Sequence, residues 1–226
     1  PHLRPKTRSS ERHFHAGVEH AAALFLGRRP PQIAVKSGEK IAFLGDSITQ
    51  GGWGNPVGYV RLVMAGLEAN GVKAEAVPAG ISGHKSDNML ARLERDVIAK
   101  QPQWMTVSCG VNDVWHGKNG VALDAAALAA GEFGTAGAAR GTYKKNIAAI
   151  VEKAEAAGIQ VVLLTATVIH EKLDNAENAK LAPYNDYLRA LAREKKLRPS
   201  SALRAFSAPP ISCTRLATAV GSRTTV

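Results

Sequence analysis

The stretch that most constrains this chain is Lys40-Ile41-Ala42-Phe43-Leu44-Gly45-Asp46-Ser47-Ile48-Thr49. Four apolar residues, Ile41 to Leu44, have the length and boundaries of a buried strand. Gly45 ends the run, and Ser47 follows two residues later. In an open parallel sheet, ligands bind outside the carboxyl ends of the strands, so Ser47 stands where chemistry takes place. A hydroxyl after a strand also caps helices, and from these ten residues both roles stay open.

The following sequence supplies partners for that strand. Gln50-Gly51-Gly52-Trp53-Gly54-Asn55-Pro56 reads as a glycine-rich loop. It lacks the Gly-Lys-Ser/Thr of a phosphate loop and the spacing of a dinucleotide fingerprint, so it is either a plain connection or a substrate-facing loop carrying Trp53. Residues 59–70 predict a helix with Val60, Val63, Met64 and Leu67 on one face and Gly71 as its stop. A short second strand is expected over 73–77, then a turn over 78–86, then a helix to about Lys100 capped by Ser86 or Asp87. That helix presents Met89, Leu90, Leu93 and Val97 inward.

A third strand, 104–109, ends in Gly110-Val111-Asn112-Asp113. After an Ala- and Gly-rich insertion with a loose helix over 123–130, a helix over 142–157 leads into a fourth strand at 159–165. A polar loop over 170–179 and a helix from Ala182 or Pro183 to Lys196 complete the pattern. Four strand–helix alternations predict a parallel sheet with helices on both faces, an α/β fold. No clear fifth strand follows in 197–226.

With 226 residues, 45% of them apolar, one domain buries a sizeable core without metals or disulfides. The two cysteines, Cys109 and Cys213, imply no disulfide framework. No apolar run approaches a membrane span, and Ala21 to Gly27 is too short and poorly flanked for a signal-peptide core. These observations leave the compartment open. The net charge of +10 belongs to the flanks: residues 1–38 hold seven Lys/Arg against two acids, and residues 195–226 hold six against none. The body between them is near neutral, and no aromatic residues interleave with the flanking charges, which argues against nucleic acid as the main partner.

Three strand ends therefore stand in a row, carrying Ser47, the turn Gly80 to Gly83, and Asn112. Acyl transfer needs a hydroxyl nucleophile and donors aimed at the developing oxyanion, and the Ser47 N–H, the Gly83 N–H and the Asn112 amide are of that type. Singly, Asn112 can cap a turn, Gly83 can serve only a positive φ, and Asp46 or Asp113 can be structural. Together they match a pattern. Gly45-Asp46-Ser47-Ile48-Thr49, Gly80-Ile81-Ser82-Gly83 and Gly110-Val111-Asn112-Asp113 resemble, in order and placement, the blocks of the SGNH (GDSL-type) hydrolase family. The resemblance covers roughly residues 36–196, and within the family the chain looks like lysophospholipase-like and carbohydrate-esterase-like members.

It implies a three-layer α/β/α sandwich of flavodoxin-like type around a five-stranded parallel sheet. It also implies a serine esterase for small-molecule acyl or acetyl esters, with Ser47 as nucleophile and Ser47, Gly83 and Asn112 as the oxyanion hole, and without a cofactor. Pro78 departs from the family, whose members often carry asparagine before the glycine turn.

The larger departure is at the end. The family's base is the histidine of an Asp-x-x-His motif after the last strand. No such motif follows the fourth strand here, the last histidine is His170, and no Asp or Glu follows Glu194. A serine hydroxyl needs a positioned base, so activity is expected to be impaired. His84, His116 and His170 each follow a strand end; His170 is the first candidate base because Glu171 and Asp174 are near it in sequence. No ligand set for a metal is present in the pattern.

The expected organisation is an N-terminal arm at 1–38, an esterase domain at 39–197, and a basic tail at 198–226 whose composition is that of an out-of-frame ending. An intact Asp-x-x-His in another reading frame of the source locus would support that origin, and an in-frame stop without one would sink it. A non-catalytic ester- or carbohydrate-binding protein of the same fold is the alternative, with polyanion binding through the flanks a remote third. Oligomeric state is not legible.

Overall fold

The computed structural model of the chain describes residues 33–197; the arm, the tail and the expectations of short helical pieces near 19–26 and 202–206 lie outside that range. Four strands, β1 (Lys40–Gly45), β2 (Glu75–Gly80), β3 (Trp104–Ser108) and β4 (Gln160–Leu164), form one parallel sheet in the order β2-β1-β3-β4. Gly45 lies opposite Gly80 on one side and Ser108 on the other, and Ser108 lies opposite Leu164. The carboxyl ends of all four strands thus share one edge.

Helices alternate with the strands. α1 (Ser47–Gly54) and α2 (Tyr59–Ala69) follow β1, α3 (Ser86–Asp96) follows β2, and α4 (Val111–Trp115) follows β3. The insertion holds α5 (Ala125–Ala129) and α6 (Thr135–Ala138), then come α7 (Tyr143–Ala156) and, after β4, α8 (Ala176–Glu194). Side chains alternate along a strand, so each sheet face has its own set. Ala42, Leu44, Met105, Val107, Val161 and Leu163 join one core with Met89, Leu93 and Val97 beyond and on α3, Ile147, Ile150 and Val151 of α7, and Leu181, Tyr184 and Leu188 of α8. Truncating one of these to alanine, for example Leu93, is expected to cost about 2–5 kcal/mol.

On the opposite face, Phe43 meets Tyr59 of α2 edge-on, with ring centroids 6.4 Å apart. The architecture is the expected α/β/α sandwich, and among the described residues its sheet has four strands.

Several boundaries differ from the sequence reading. The segment after Ser47 is not a loop through residue 56 but a helix to Gly54, because Asp46 caps it and accepts from the Ile48 N–H at 2.9 Å. Its glycines permit close packing: a Cβ on Gly52 would run into the Tyr59 ring. Strand β2 starts two residues later than expected and continues to Gly80, taking in Pro78. Among the described residues β2 is an edge strand, and a sheet edge tolerates proline because its outer side has no ladder that requires the N–H.

Helix α3 is preceded by Lys85 as the capping position, and Ser86 is its first residue rather than its cap. Helix α8 begins at Ala176, six residues before its expected start, with Pro183 inside it. The Asn175 side chain caps it by accepting from the Asn178 N–H at 2.6 Å. Burial of Leu181, Tyr184, Leu188 and Leu191 offsets the roughly 3 kcal/mol an interior proline costs a helix. On α2, only Val60 of the expected inner face is fully buried, and Val63 is 43% exposed.

Candidate active site

Ser47 is the first residue of α1, directly past the buried cap Asp46. In the first turn of a helix an N–H has no carbonyl four residues back to bond, so the Ser47 N–H points out of the helix start. The side chain is exposed, at the shared strand edge. Asp46 is committed to capping; burial raises its carboxyl above the ordinary value, and the N–H groups it accepts from oppose that shift.

The glycine turn is fastened to the serine helix and to β1. Gln50 of α1 accepts from the Ser82 N–H at 2.8 Å, and Ile81 N–H donates to the Gly45 carbonyl at 3.0 Å. Gly83 has φ +76°, the left-handed region that favours glycine. Arg92, buried on α3, braces the turn from below: Nη2 donates to the Gly45 carbonyl at 2.9 Å, Nε to His84 Nδ1 at 3.1 Å, and Nη1 to Asp96 Oδ2 at 3.2 Å.

Asn112 is buried in α4, and its Nδ2 donates to the His84 carbonyl at 3.1 Å. An amide has two N–H groups, so one remains for a ligand. The neighbour Asp113 is fully buried and ties the same two segments together a second time. Its Oδ1 accepts from the Ser86 N–H at 3.0 Å and the Ser86 hydroxyl at 2.6 Å, while Oδ2 faces Cys109 Sγ at 3.4 Å. Asn146 of α7 donates to the Ser86 hydroxyl at 3.1 Å and closes the network. Burial pushes the Asp113 carboxyl up to about 6, against the pull of the Ser86 hydrogen bonds, and pushes the Cys109 thiol well up. The turn after β2 and the helix after β3 are thus bridged over the end of β1.

The histidines are placed differently. His84 Nδ1 is occupied by Arg92, which leaves the proton on Nε2 and no lone pair there to take another; burial, then the Arg92 charge, holds its pKa below the ordinary value. His116 is exposed at the end of α4, and burial of its surroundings followed by the charges of Lys85 and Arg140 also lowers it. Asp113 and His116 do have Asp-x-x-His spacing, but both Asp113 oxygens are engaged inside the core. His170 lies six residues past the end of β4, the second strand over from β1. Its ring packs edge-to-face against Trp115, centroids 5.3 Å apart, and among the described residues no carboxylate bonds it. The proximity of Glu171 and Asp174 in sequence does not become a hydrogen bond or an ion pair with that ring.

Trp53, half-buried on α1, is stacked against Arg61, whose guanidinium lies 3.5 Å from its ring centroid and whose Nε donates to the Trp53 carbonyl at 2.8 Å. A cavity of about 470 Å³ opens beside α4, lined by Val114, Leu123, Phe133, Pro183 and Tyr184 among others. A larger groove, about 680 Å³, runs along the outer side of β2 between Glu75 and Ile81 and contains none of Ser47, Gly83 and Asn112. Among the described residues, no group of three or more His, Cys, Asp or Glu side chains converges as a metal site, and no helix is long and apolar enough to cross a membrane.

Residues 43–214 match the GDSL-like Lipase/Acylhydrolase family model. The chain belongs to that family. An acetylxylan esterase of Geobacillus stearothermophilus is 40% identical over 94 residues, which is 36% of this chain and 43% of that enzyme; the aligned stretch spans less than half of this curated relative. The crystal structure of the acetyl xylan esterase AlAXEase is similar with a TM-score of 0.59 and 30% identity, covering 74% of this chain and 79% of that one. The acetylxylan esterase Axe2 of Geobacillus stearothermophilus superposes with a TM-score of 0.60 and 25% identity, covering 77% and 80%. Axe2 has also been solved as catalytic mutants in which a serine, an aspartate, and a histidine three positions after that aspartate are each replaced by alanine.

The sequence reading missed the Asp113–Ser86 bridge and the Trp115–His170 pair. Asp113 lay beside a candidate residue, but only the approach of α3 to α4 shows what it holds. Trp115 is one helical turn from Asn112, a spacing that was visible without any sign of its exposure.

Proposed function

We propose that this chain is a serine esterase that cleaves acetyl or short acyl groups from a saccharide. In this reading, Ser47 Oγ attacks the ester carbonyl carbon. The carbonyl oxygen becomes an oxyanion that accepts hydrogen bonds from the Ser47 N–H, the Gly83 N–H and Asn112 Nδ2. The positive end of the α1 dipole adds to that stabilisation. The Ser47 hydroxyl proton passes to solvent, the C–O bond to the sugar breaks as the tetrahedral species collapses, and the sugar oxygen takes up a proton and leaves as a hydroxyl. Water then attacks the acyl-serine, releasing the acid and returning a proton to Ser47 Oγ. The observation that carries the reading is the Asn112-to-His84 hydrogen bond, which holds a side-chain amide beside the Gly83 turn at the edge where α1 begins. Similarity to acetylxylan esterases supports the saccharide leaving group.

The described histidines provide no base oriented by a carboxylate, so the reading assigns these residues the nucleophile and hole and expects slow turnover. Residual catalysis by a hole without its base is about 10³–10⁴ over water. p-Nitrophenyl acetate hydrolysis by the wild type and by Ser47→Ala tests the proposal. Loss of turnover in the variant supports it; equal rates, or none in either protein, count against turnover at Ser47.

A second reading, binding of a saccharide ester without turnover, is favoured by the same lack of a carboxylate-bound histidine, and is supported if acetylated xylo-oligosaccharide binds but is not cleaved. Polyanion binding rests on the flanking charges alone, and requires retention on an anionic column that survives trimming of both flanks.

A further inference from the structure

We infer that Trp115 and His170 form a saccharide-binding subsite on the β3–β4 side of Ser47. The inference rests on the esterase reading for its ligand and adds the residues that hold the sugar.

Trp115 is the last residue of α4, one helical turn beyond Asn112, and 55% of it is exposed. A single exposed aromatic side chain needs no explanation by itself. This one stands one turn past Asn112 at the carboxyl edge of the sheet and has a ring partner held against it from another strand's loop. The indole is not loose. The His170 ring stands against it at an interplanar angle of 74°, the edge-to-face geometry that aromatic pairs prefer.

His170 is itself held at a cost. Its φ is +60°, the left-handed region that a non-glycine residue seldom occupies. The grip is on its neighbour Ile169, which is buried. Ile169 N–H donates to Asn178 Oδ1 at 2.7 Å, and its carbonyl accepts from Asn175 Nδ2 at 2.6 Å and Asn178 Nδ2 at 3.0 Å. Both asparagines also donate to the Lys172 carbonyl, at 2.8 and 3.2 Å. The first turn of α8 therefore clamps the loop after β4 and presents His170 to Trp115 from across the sheet edge.

A flat, rigid aromatic surface with a hydrogen-bonding imidazole at its margin matches a pyranose ring, which offers an apolar C–H face and a rim of hydroxyls. An acyl chain needs an enclosed apolar channel instead, and this surface is open. The position also fits. It lies on the β3–β4 side of Ser47, whereas the turn that carries Gly83 lies on the β2 side, so a sugar stacked here directs its ester toward the end of β1.

The test uses the full chain carrying Ser47→Ala, titrated with xylotriose and followed by the three indole N–H signals in ¹H–¹⁵N spectra and by calorimetry. A saturable shift of the Trp115 signal is expected, assigned with Trp115→Phe, while Trp104, buried against Glu39, stays unmoved. Trp115→Ala should weaken binding about tenfold and Trp115→Phe less. His170→Ala should weaken it by a smaller factor. Trp115 is exposed, and an unchanged thermal melt confirms the fold of its variants. An unmoved Trp115 signal, or equal xylotriose affinity in Trp115→Ala, overturns the subsite. Ser47-dependent p-nitrophenyl acetate turnover is read separately: turnover without Trp115-dependent binding sinks only the subsite, and Trp115-dependent binding without turnover sinks only the catalytic reading.

Discussion

The two sides of the strand edge are built differently. On the β2–β1–β3 side, Gln50, Arg92, Asn112 and Asp113 cross-link the serine helix, the glycine turn and α4 through short hydrogen bonds, several of them buried. On the β3–β4 side, Asn175 and Asn178 clamp the loop after β4 just as tightly, but what that loop presents at the edge is the His170 imidazole against the exposed Trp115 indole, with no carboxylate of the described residues bonded to it. Electrostatic stabilisation by preorganised donors requires that they cannot move as charge develops, and the hydrogen bonds of the first side are the bracing that the proposed oxyanion hole needs. Proton transfer requires a base held by a third group, and among the described residues the second side offers no histidine bonded to a carboxylate.

The largest expected effect lies on the braced side. Ser47→Ala should remove all enzyme-dependent p-nitrophenyl acetate hydrolysis, a drop of several orders of magnitude in a serine enzyme with a functional base and down to background in a slow one. Asn112→Ala should lower kcat by about 10²–10³ with a small change in KM, as for loss of one oxyanion donor. A KM effect alone would make Asn112 a binding group and dissolve the proposed hole.

Imidazole added to the assay should accelerate the wild type above the Ser47→Ala background, because it supplies a proton acceptor that the described histidines, in the proposed reading, do not. No such difference would show that the proton already has a path. His170→Ala should lower turnover far less than Ser47→Ala; a loss as deep as that of Ser47→Ala would make His170 the base and erase the contrast between the two sides.

The smallest effect is on stability. Asp113 has a folded pKa of about 6, raised by burial above an ordinary value near 3.8. The folded state then holds this proton more tightly than the unfolded chain. Its stabilising contribution is complete below about pH 3.8 and is lost as pH rises through about 6. Asp113→Asn, which mimics the protonated form, should therefore gain stability relative to the wild type between pH 4 and 6.5 in urea titrations. A difference independent of pH would mean that the Ser86 hydrogen bonds, not burial, govern this carboxyl.

Much of the fold was legible because it is encoded locally. The apolar runs of β1, β3 and β4 and the inward positions of α3 and α7 follow from periodicity and stop residues. The misread boundaries are those where a tertiary partner overrides a local signal: Gly52 against Tyr59, Pro78 on an edge, Pro183 in a helix held by its buried face. The three strand-end motifs were visible as residue types at turns, and the family they resemble was readable because hydroxyl, glycine and amide have few reasons to recur together in that order.

The sequence alone therefore determined the family and the row of strand ends carrying Ser47, Gly83 and Asn112, since strand, turn and cap preferences act over a few residues. Only the tertiary structure decided that Asp113 binds Ser86, that His84 is bonded to Arg92, and that His170 meets Trp115 rather than Glu171 or Asp174. Those pairings depend on which strands become neighbours and how far each loop reaches across the edge, and no local pattern encodes either.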